Sequence, residues 1–198
     1  CVASRAGAAQ RQALQALHDR LEKQVRQRDA FFATNEQFHM ALVIDEYGGV
    51  SGLIAARKLS GLMDELISGI FVHSLAVEGP GPANGEHGEA RLALAATGGY
   101  GRGTLAPFSD IDLLFLTEAE PDERTLRVVE YMLYFLWDLG LKVGHATRSV
   151  AECLSEGAKD VTIRTALLDA RHISGDQSLF EEFHQHLRTA CAEAGAGD

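Results

Sequence analysis

Gly98-Gly99-Tyr100-Gly101-Arg102-Gly103, followed after six residues by Asp110-Ile111-Asp112, is the stretch on which the reading of this chain turns. The apolar run 91–97 ahead of it reads as a short strand that stops at Gly98-Gly99. Residues 111–116 read as a second strand, bounded by Ser109-Asp110 and Pro121. Side chains alternate along a strand, which places Asp110 and Asp112 on one side and Ile111 on the other. Two carboxylates at that spacing suit a divalent cation, and glycines at 98, 99, 101 and 103 let the backbone approach an anion and donate N–H groups to it. A turn for phosphates beside an Asp pair for Mg²⁺ implies nucleotide chemistry. Each half alone is ordinary turn chemistry. Their order is more specific, because the Gly-Gly turn ends one strand and the Asp pair begins the next. The pattern is neither a Walker loop, which needs Gly-Lys-Ser/Thr, nor a dinucleotide fingerprint, whose glycines open a helix after a strand.

Outward from this stretch, the spacing predicts a helix over 122–139 with Leu126, Val129, Met132, Leu133, Leu136 and Leu139 facing inward, closed by Gly140. Residues 141–147 form a third expected strand. Ser149 and Glu152 form a capping box that opens the next helix, Asp160 caps another through about Arg171, and Ser178 caps the last. Upstream, the Gly-Pro and Asn-Gly pairs within 78–90 mark an exposed loop, and 55–74 read as a helix through Leu59, Leu62, Met63, Leu66, Ile67 and Ile70. Residues 41–54 have the pattern of a short hairpin. Residues 8–38 have that of an amphipathic helix broken near Asp29. The order strand, strand, helix, strand, helices makes an α/β or α+β domain with a small sheet.

The 198 residues carry 18 Lys and Arg against 28 Asp and Glu, a formal net charge of −10. Residues 1–40 are slightly basic, so the acidity belongs to the rest of the chain. That charge opposes nucleic acid and anionic membrane as partners. Cys1, Cys153 and Cys191 are scattered and form no CxxC pair, which points to a reducing compartment and no zinc site. Apolar runs such as 92–97 and 131–137 fall short of the ~20 residues of a membrane span, and 1–30 lack a signal-peptide core. The expected location is the cytoplasm. The initial Cys1 reads more readily as a fragment boundary than as a processed lipoprotein.

The spacing of Gly98-Gly99 from Asp110-x-Asp112 resembles the DNA polymerase β type of nucleotidyltransferase. The longer string from Gly98 to Leu116 is similar, almost letter for letter, to the bacterial PII uridylyltransferase family. The likeness continues through 129–148, 160–171 and Gly175-Asp176, and covers about 55–183. It implies an α+β fold with a small mixed sheet flanked by helices and with helical N- and C-terminal segments. The expected division is 1–54 as a helical and hairpin N-terminal segment that the resemblance does not cover, 55–183 as the nucleotidyltransferase domain and 184–198 as a C-terminal helix end and tail.

The resemblance also implies transfer of UMP from UTP to a tyrosine hydroxyl of the PII signal-transduction protein, with Mg²⁺ as cofactor and pyrophosphate released. Position by position, Asp110 and Asp112 would be catalytic and bind Mg²⁺, and Gly98 and Gly99 would hold the triphosphate. Ser109, Arg102 and Arg148 join the nucleotide-binding set, although a surface ion pair is the plainer role for either arginine. Members of the superfamily commonly place a third carboxylate on a later strand, but 141–147 contain none. There His145 assists, or a ligand comes from elsewhere, or two carboxylates suffice.

The HD hydrolase and ACT sensor domains of full-length family members are not among these residues, and His18-Asp19 reads as a solvated helix face. Residues 31–42 resemble the ligand domain of GntR-type regulators, and 41–54 a CBS-domain hairpin of CorC-type transporter-associated proteins. Two alternatives accompany the enzyme reading. One is a regulatory module that holds a nucleotide without turning it over. The other is a transferase with another nucleotide or acceptor, including self-modification at Tyr100.

Overall fold

The computed structural model describes residues 51–79, 91–106 and 108–195. The expected helix at 8–38, the His18-Asp19 doublet, Cys1, the first part of the 41–54 hairpin and most of the 78–90 loop lie outside them. The described chain runs α1 (Ser51–Glu78), β1 (Leu92–Ala96), α2 (Gly98–Gly101), β2 (Ile111–Thr117), α3 (Glu123–Asp138), β3 (Val143–Ser149), α4 (Val150–Lys159), α5 (Val161–Leu168), β4 (Arg171–Gly175) and α6 (Gln177–Gly195).

Four strands form one mixed sheet in the order β3-β2-β1-β4. The pairs β1·β2 and β1·β4 are antiparallel, while β2 and β3 are parallel and joined across α3. Period-2 alternation in the central strands divides the core in two. Leu94, Ala96, Ile111, Leu113 and Phe115 face α1 and α3, which contribute Met63, Ile67, Phe71, Val128, Met132 and Leu136. Ala93, Ala95, Leu114 and Leu116 face α4, α5 and α6, with Cys153, Leu167, Phe180 and Phe183. The fold is therefore α+β, with helices on both faces of a small mixed sheet.

Several local expectations change. Ser51–Ile54, read as the second arm of a hairpin, form the first turn of α1, with Leu53 and Ile54 exposed. By length and composition Ala56–Glu78 matches a membrane span, contrary to the apolar-run reading. In this fold Leu59, Met63, Leu66, Ile67 and Ile70 are buried in the core. Leu126 is exposed, and Thr125 and Val128 take the inward positions of α3. The helix that Asp160 caps ends at Leu168, and Arg171 begins a fourth strand that sequence reading took for helix end. Asp176, not Ser178, caps α6: its Oδ1 accepts from the Leu179 N–H at 2.9 Å. Gly140 ends α3 at φ +75°, and the Ser149–Glu152 capping box is formed as expected.

Candidate active site

β1 ends where its backbone still holds β2: the Thr97 N–H donates to the Asp112 carbonyl at 3.0 Å. Gly98 then turns the chain at φ +56°, a left-handed conformation natural to glycine. The four-residue α2 follows with no side-chain cap at Thr97, so the first amides of the turn have neither an intrahelical nor a capping acceptor. A Cβ placed on Gly98 would lie 3.3 Å from Asp112 Oδ2. The turn and the carboxylate that the sequence linked by spacing are thus in contact distance.

The alternation around Asp112 is also as expected. Ile111 is buried in the core, Asp110 is exposed and Asp112 is half-buried. Burial, with a further push from the charge of Asp110, holds the Asp112 carboxyl above the usual carboxylate range. A half-buried carboxylate with a like charge beside it is a hard oxygen donor of the kind a divalent cation relieves. Mg²⁺ is commonly held by one or two carboxylates together with substrate phosphate oxygens. Among the described residues no group of three or more His, Cys, Asp or Glu converges. The donor set fits a divalent cation, which Asp110 and Asp112 would hold.

The parallel ladder settles the position of His145. Asp112 is in register with Gly144, and Leu113 with His145. His145 therefore lies on the face opposite Asp112, beside Trp137 at 6.5 Å between ring centroids, and is no third ligand there. The position facing Asp112 on β3 is Gly144, which sequence reading missed. A Cβ there would stand 2.5 Å from Asp112 Oδ1. The carboxylate lies between two glycines, Gly98 and Gly144, and occupies the room that both leave. Only the register of the parallel pair identifies Gly144, so no local pattern signals it.

The remaining candidates divide. Gly99 is open on its Cα, with only Arg102 Nη2 nearby at 3.7 Å. Gly101 has a different role from the one expected: a Cβ there would strike the Asp169 and Ala96 carbonyls, so its lack of a side chain serves packing. Ser109 is exposed beside Asp110, and its hydroxyl donates to the Ala106 carbonyl at 2.8 Å. Arg102 is paired with Asp169 at 2.5 Å while its side chain remains 56% exposed. Arg148 shares the face of Asp112 but pairs with Leu116, four residues further along β3. At ~3.3 Å per residue its backbone stands about 13 Å along the strand from Gly144. The Tyr100 hydroxyl is buried and donates to Asp64 at 2.6 Å, with burial pushing its pKa far up. This removes Tyr100 as an accessible acceptor for self-modification.

Residues 84–171 match the family model described as a nucleotidyltransferase domain. Fold and match define the class: the chain carries a nucleotidyltransferase domain. Among individual relatives, a bifunctional uridylyltransferase/uridylyl-removing enzyme of Phenylobacterium zucineum is 49% identical over 144 residues, 71% of this chain and 15% of the relative. The enzyme of the same name from Azospirillum brasilense is 56% identical over 108 residues, 54% of this chain and 11% of the relative. The chain spans at most about 15% of the length of these relatives. A solved toxin–antitoxin structure with AMP-PNP aligns at a TM-score of 0.41 and 17% identity, over 66% of this chain and 90% of that one.

Proposed function

We propose that this domain transfers UMP from UTP to a tyrosine hydroxyl of the PII signal-transduction protein and releases pyrophosphate. The observation that carries the reading is the contact of Asp112 with the uncapped Gly98 turn, which joins a carboxylate pair to a phosphate cradle. The names of the relatives supply the uridylyl group. In this reading the amides of Gly98 and Gly99 take the triphosphate, and Ser109 and Arg102 border it. Arg148, on the same face four residues further along β3, stands at the far border of this set. Asp110 and Asp112 would hold Mg²⁺, whose charge neutralises the phosphates and eases departure of pyrophosphate.

The acceptor's phenolic oxygen forms a bond to the α-phosphorus as the bond to the bridging oxygen breaks. Pyrophosphate leaves with that electron pair, and the phenolic proton passes to solvent. The protein works in the cytoplasm. A net charge of −10 disfavours nucleic acid and anionic membrane as partners.

Intact mass of a PII protein after incubation with this chain, Mg²⁺ and each of the four nucleoside triphosphates in turn tests the proposal. A uridylyl adduct with UTP, absent with Asp112→Asn, is the expected result. An unmodified acceptor in every reaction, or an adduct only with another nucleotide, overturns the assignment.

A further inference from the structure

A single helical turn does not hold its own shape in water, because its nucleation fixes several dihedrals for one hydrogen bond. α2 is such a turn, with only four residues and no side-chain cap at its start. Its support comes from two other elements, β4 and α1. Arg171, the first residue of β4, donates from Nε to the Gly101 carbonyl at 3.2 Å and from Nη2 to the Tyr100 carbonyl at 3.3 Å. These carbonyls lie at the end of the turn, where the Tyr100 carbonyl also accepts from the Gly103 N–H at 3.0 Å. The same guanidinium grips Asp64 of α1 with both ends of its fork, Nη1 to Oδ2 at 2.7 Å and Nη2 to Oδ1 at 3.0 Å. It lies 5.5 Å from the ring centroid of Tyr100, whose hydroxyl closes the circuit on Asp64 Oδ1. Each carboxylate oxygen, the fork and both carbonyls are used in these bonds.

We propose that Asp64 and Arg171 are positioning residues for the nucleotide's phosphates: they fix the glycine turn at its carbonyl end so that its amide end stays presented beside Asp112. The proposal rests on the nucleotidyltransferase reading and extends the functional unit beyond the matched segment, because Asp64 stands on α1, upstream of residue 84.

Calorimetry with Mg-UTP, with circular dichroism and thermal melting as controls, distinguishes positioning from plain stabilisation. Arg171→Lys loses the planar fork, and we expect at least about tenfold weaker binding from a folded protein, with KM for the nucleotide raised more than kcat is lowered. Asp64→Asn gives a smaller loss in the same direction. Tyr100→Phe, which leaves the bonds of Arg171 to the carbonyls in place, gives the smallest.

The charge-reversed double variant Asp64→Arg with Arg171→Asp separates the two roles: a plain ion pair regains both stability and affinity, whereas a positioning pair does not regain affinity. Folded Arg171→Lys and Asp64→Asn with affinity within twofold of wild type, or affinity restored by charge reversal, overturns the proposal. If Arg171→Lys does not fold, Asp64→Asn decides on the same criterion. Wild-type protein that binds no nucleoside triphosphate overturns the nucleotide reading and this proposal with it. Binding of a triphosphate other than UTP, with the same ranking of variants, supports the proposal and overturns only the uridine assignment.

Discussion

Asp112 is placed where a carboxylate is uncomfortable: half-buried, close to Asp110, and fitted between Gly98 and Gly144. A carboxyl whose folded pKa is raised destabilises the fold at neutral pH, since the charged form is the one penalised. Asp112→Asn is therefore expected to abolish transfer while its thermal midpoint at pH 7 equals or exceeds that of wild type, a comparison that a melting curve and the transfer assay make together. Gly144→Ala tests the space itself. Its Cβ meets a rotatable carboxylate oxygen, not backbone, so the side chain of Asp112 turns aside. We expect stability to change by less than about 1 kcal/mol and turnover to fall roughly tenfold or more. Wild-type turnover in Gly144→Ala would show that Asp112 need not stay in the observed position.

At the scale of elements, the ends of helices are set by side chains that the sequence displays openly. The Ser149 hydroxyl accepts from the Glu152 N–H, and the Glu152 carboxylate accepts from the Ser149 N–H at 2.7 Å. This reciprocal pair begins α4 directly at the end of β3, and the bonds from the Ser149 N–H and then from its hydroxyl hold the Glu152 carboxyl below the usual range. Ser149→Ala should cost about 1 kcal/mol, with the thermal midpoint falling by about 2–4 °C. NMR titration should find the Glu152 carboxyl moved toward its ordinary value. An unchanged melting temperature would mean that α4 is started by packing alone.

β4 shows the opposite case. Residues 171–175 have no alternation to advertise a strand, and pairing with β1 through a bulge between Leu94 and Ala95 makes them one. That pairing aims Arg171 and Ser174 at α1, where they meet Asp64 and Ser68.

Across the whole molecule, Arg91 joins segments far apart in sequence. It donates to Asp176 at 2.8 Å, to Ser178 and to Glu182, and lies 3.6 Å from Glu118, thereby tying the start of β1 to α6 and to the end of β2. The hydrogen bond from Arg91 holds the Asp176 carboxyl well below the usual range. A depressed folded pKa contributes stability that is complete above the unfolded value of ~3.9 and is lost as pH falls toward the folded one. Asp176→Asn, which keeps a helix cap, should lower stability by about 1–2 kcal/mol at pH 7. The gap from wild type should close progressively in denaturant titrations taken below pH 4. A gap independent of pH would assign the loss to geometry instead of charge. The Cys153 thiol, buried between α4 and the sheet and pushed up to about 12, packs as an apolar group.

The sequence by itself determined the local elements that bear the candidate site and the residues that cluster at its turn. The Gly98-Gly99 turn, the Asp110 and Asp112 pair, β1 and β2, the span of α3 and the caps of α4 and α5 all depend on neighbours within a few residues. Periodicity, turn chemistry and capping record such short-range requirements directly. Tertiary structure alone decided that Gly144 faces Asp112, that His145 is turned away, that 171–175 form a strand, and that Asp64 supports the glycine turn through Arg171. Each of these follows from strand register or from contacts between segments distant in the chain. A shift of one residue in β3 would exchange Gly144 and His145 between the two faces of the sheet, and no local pattern in 141–149 distinguishes the two registers.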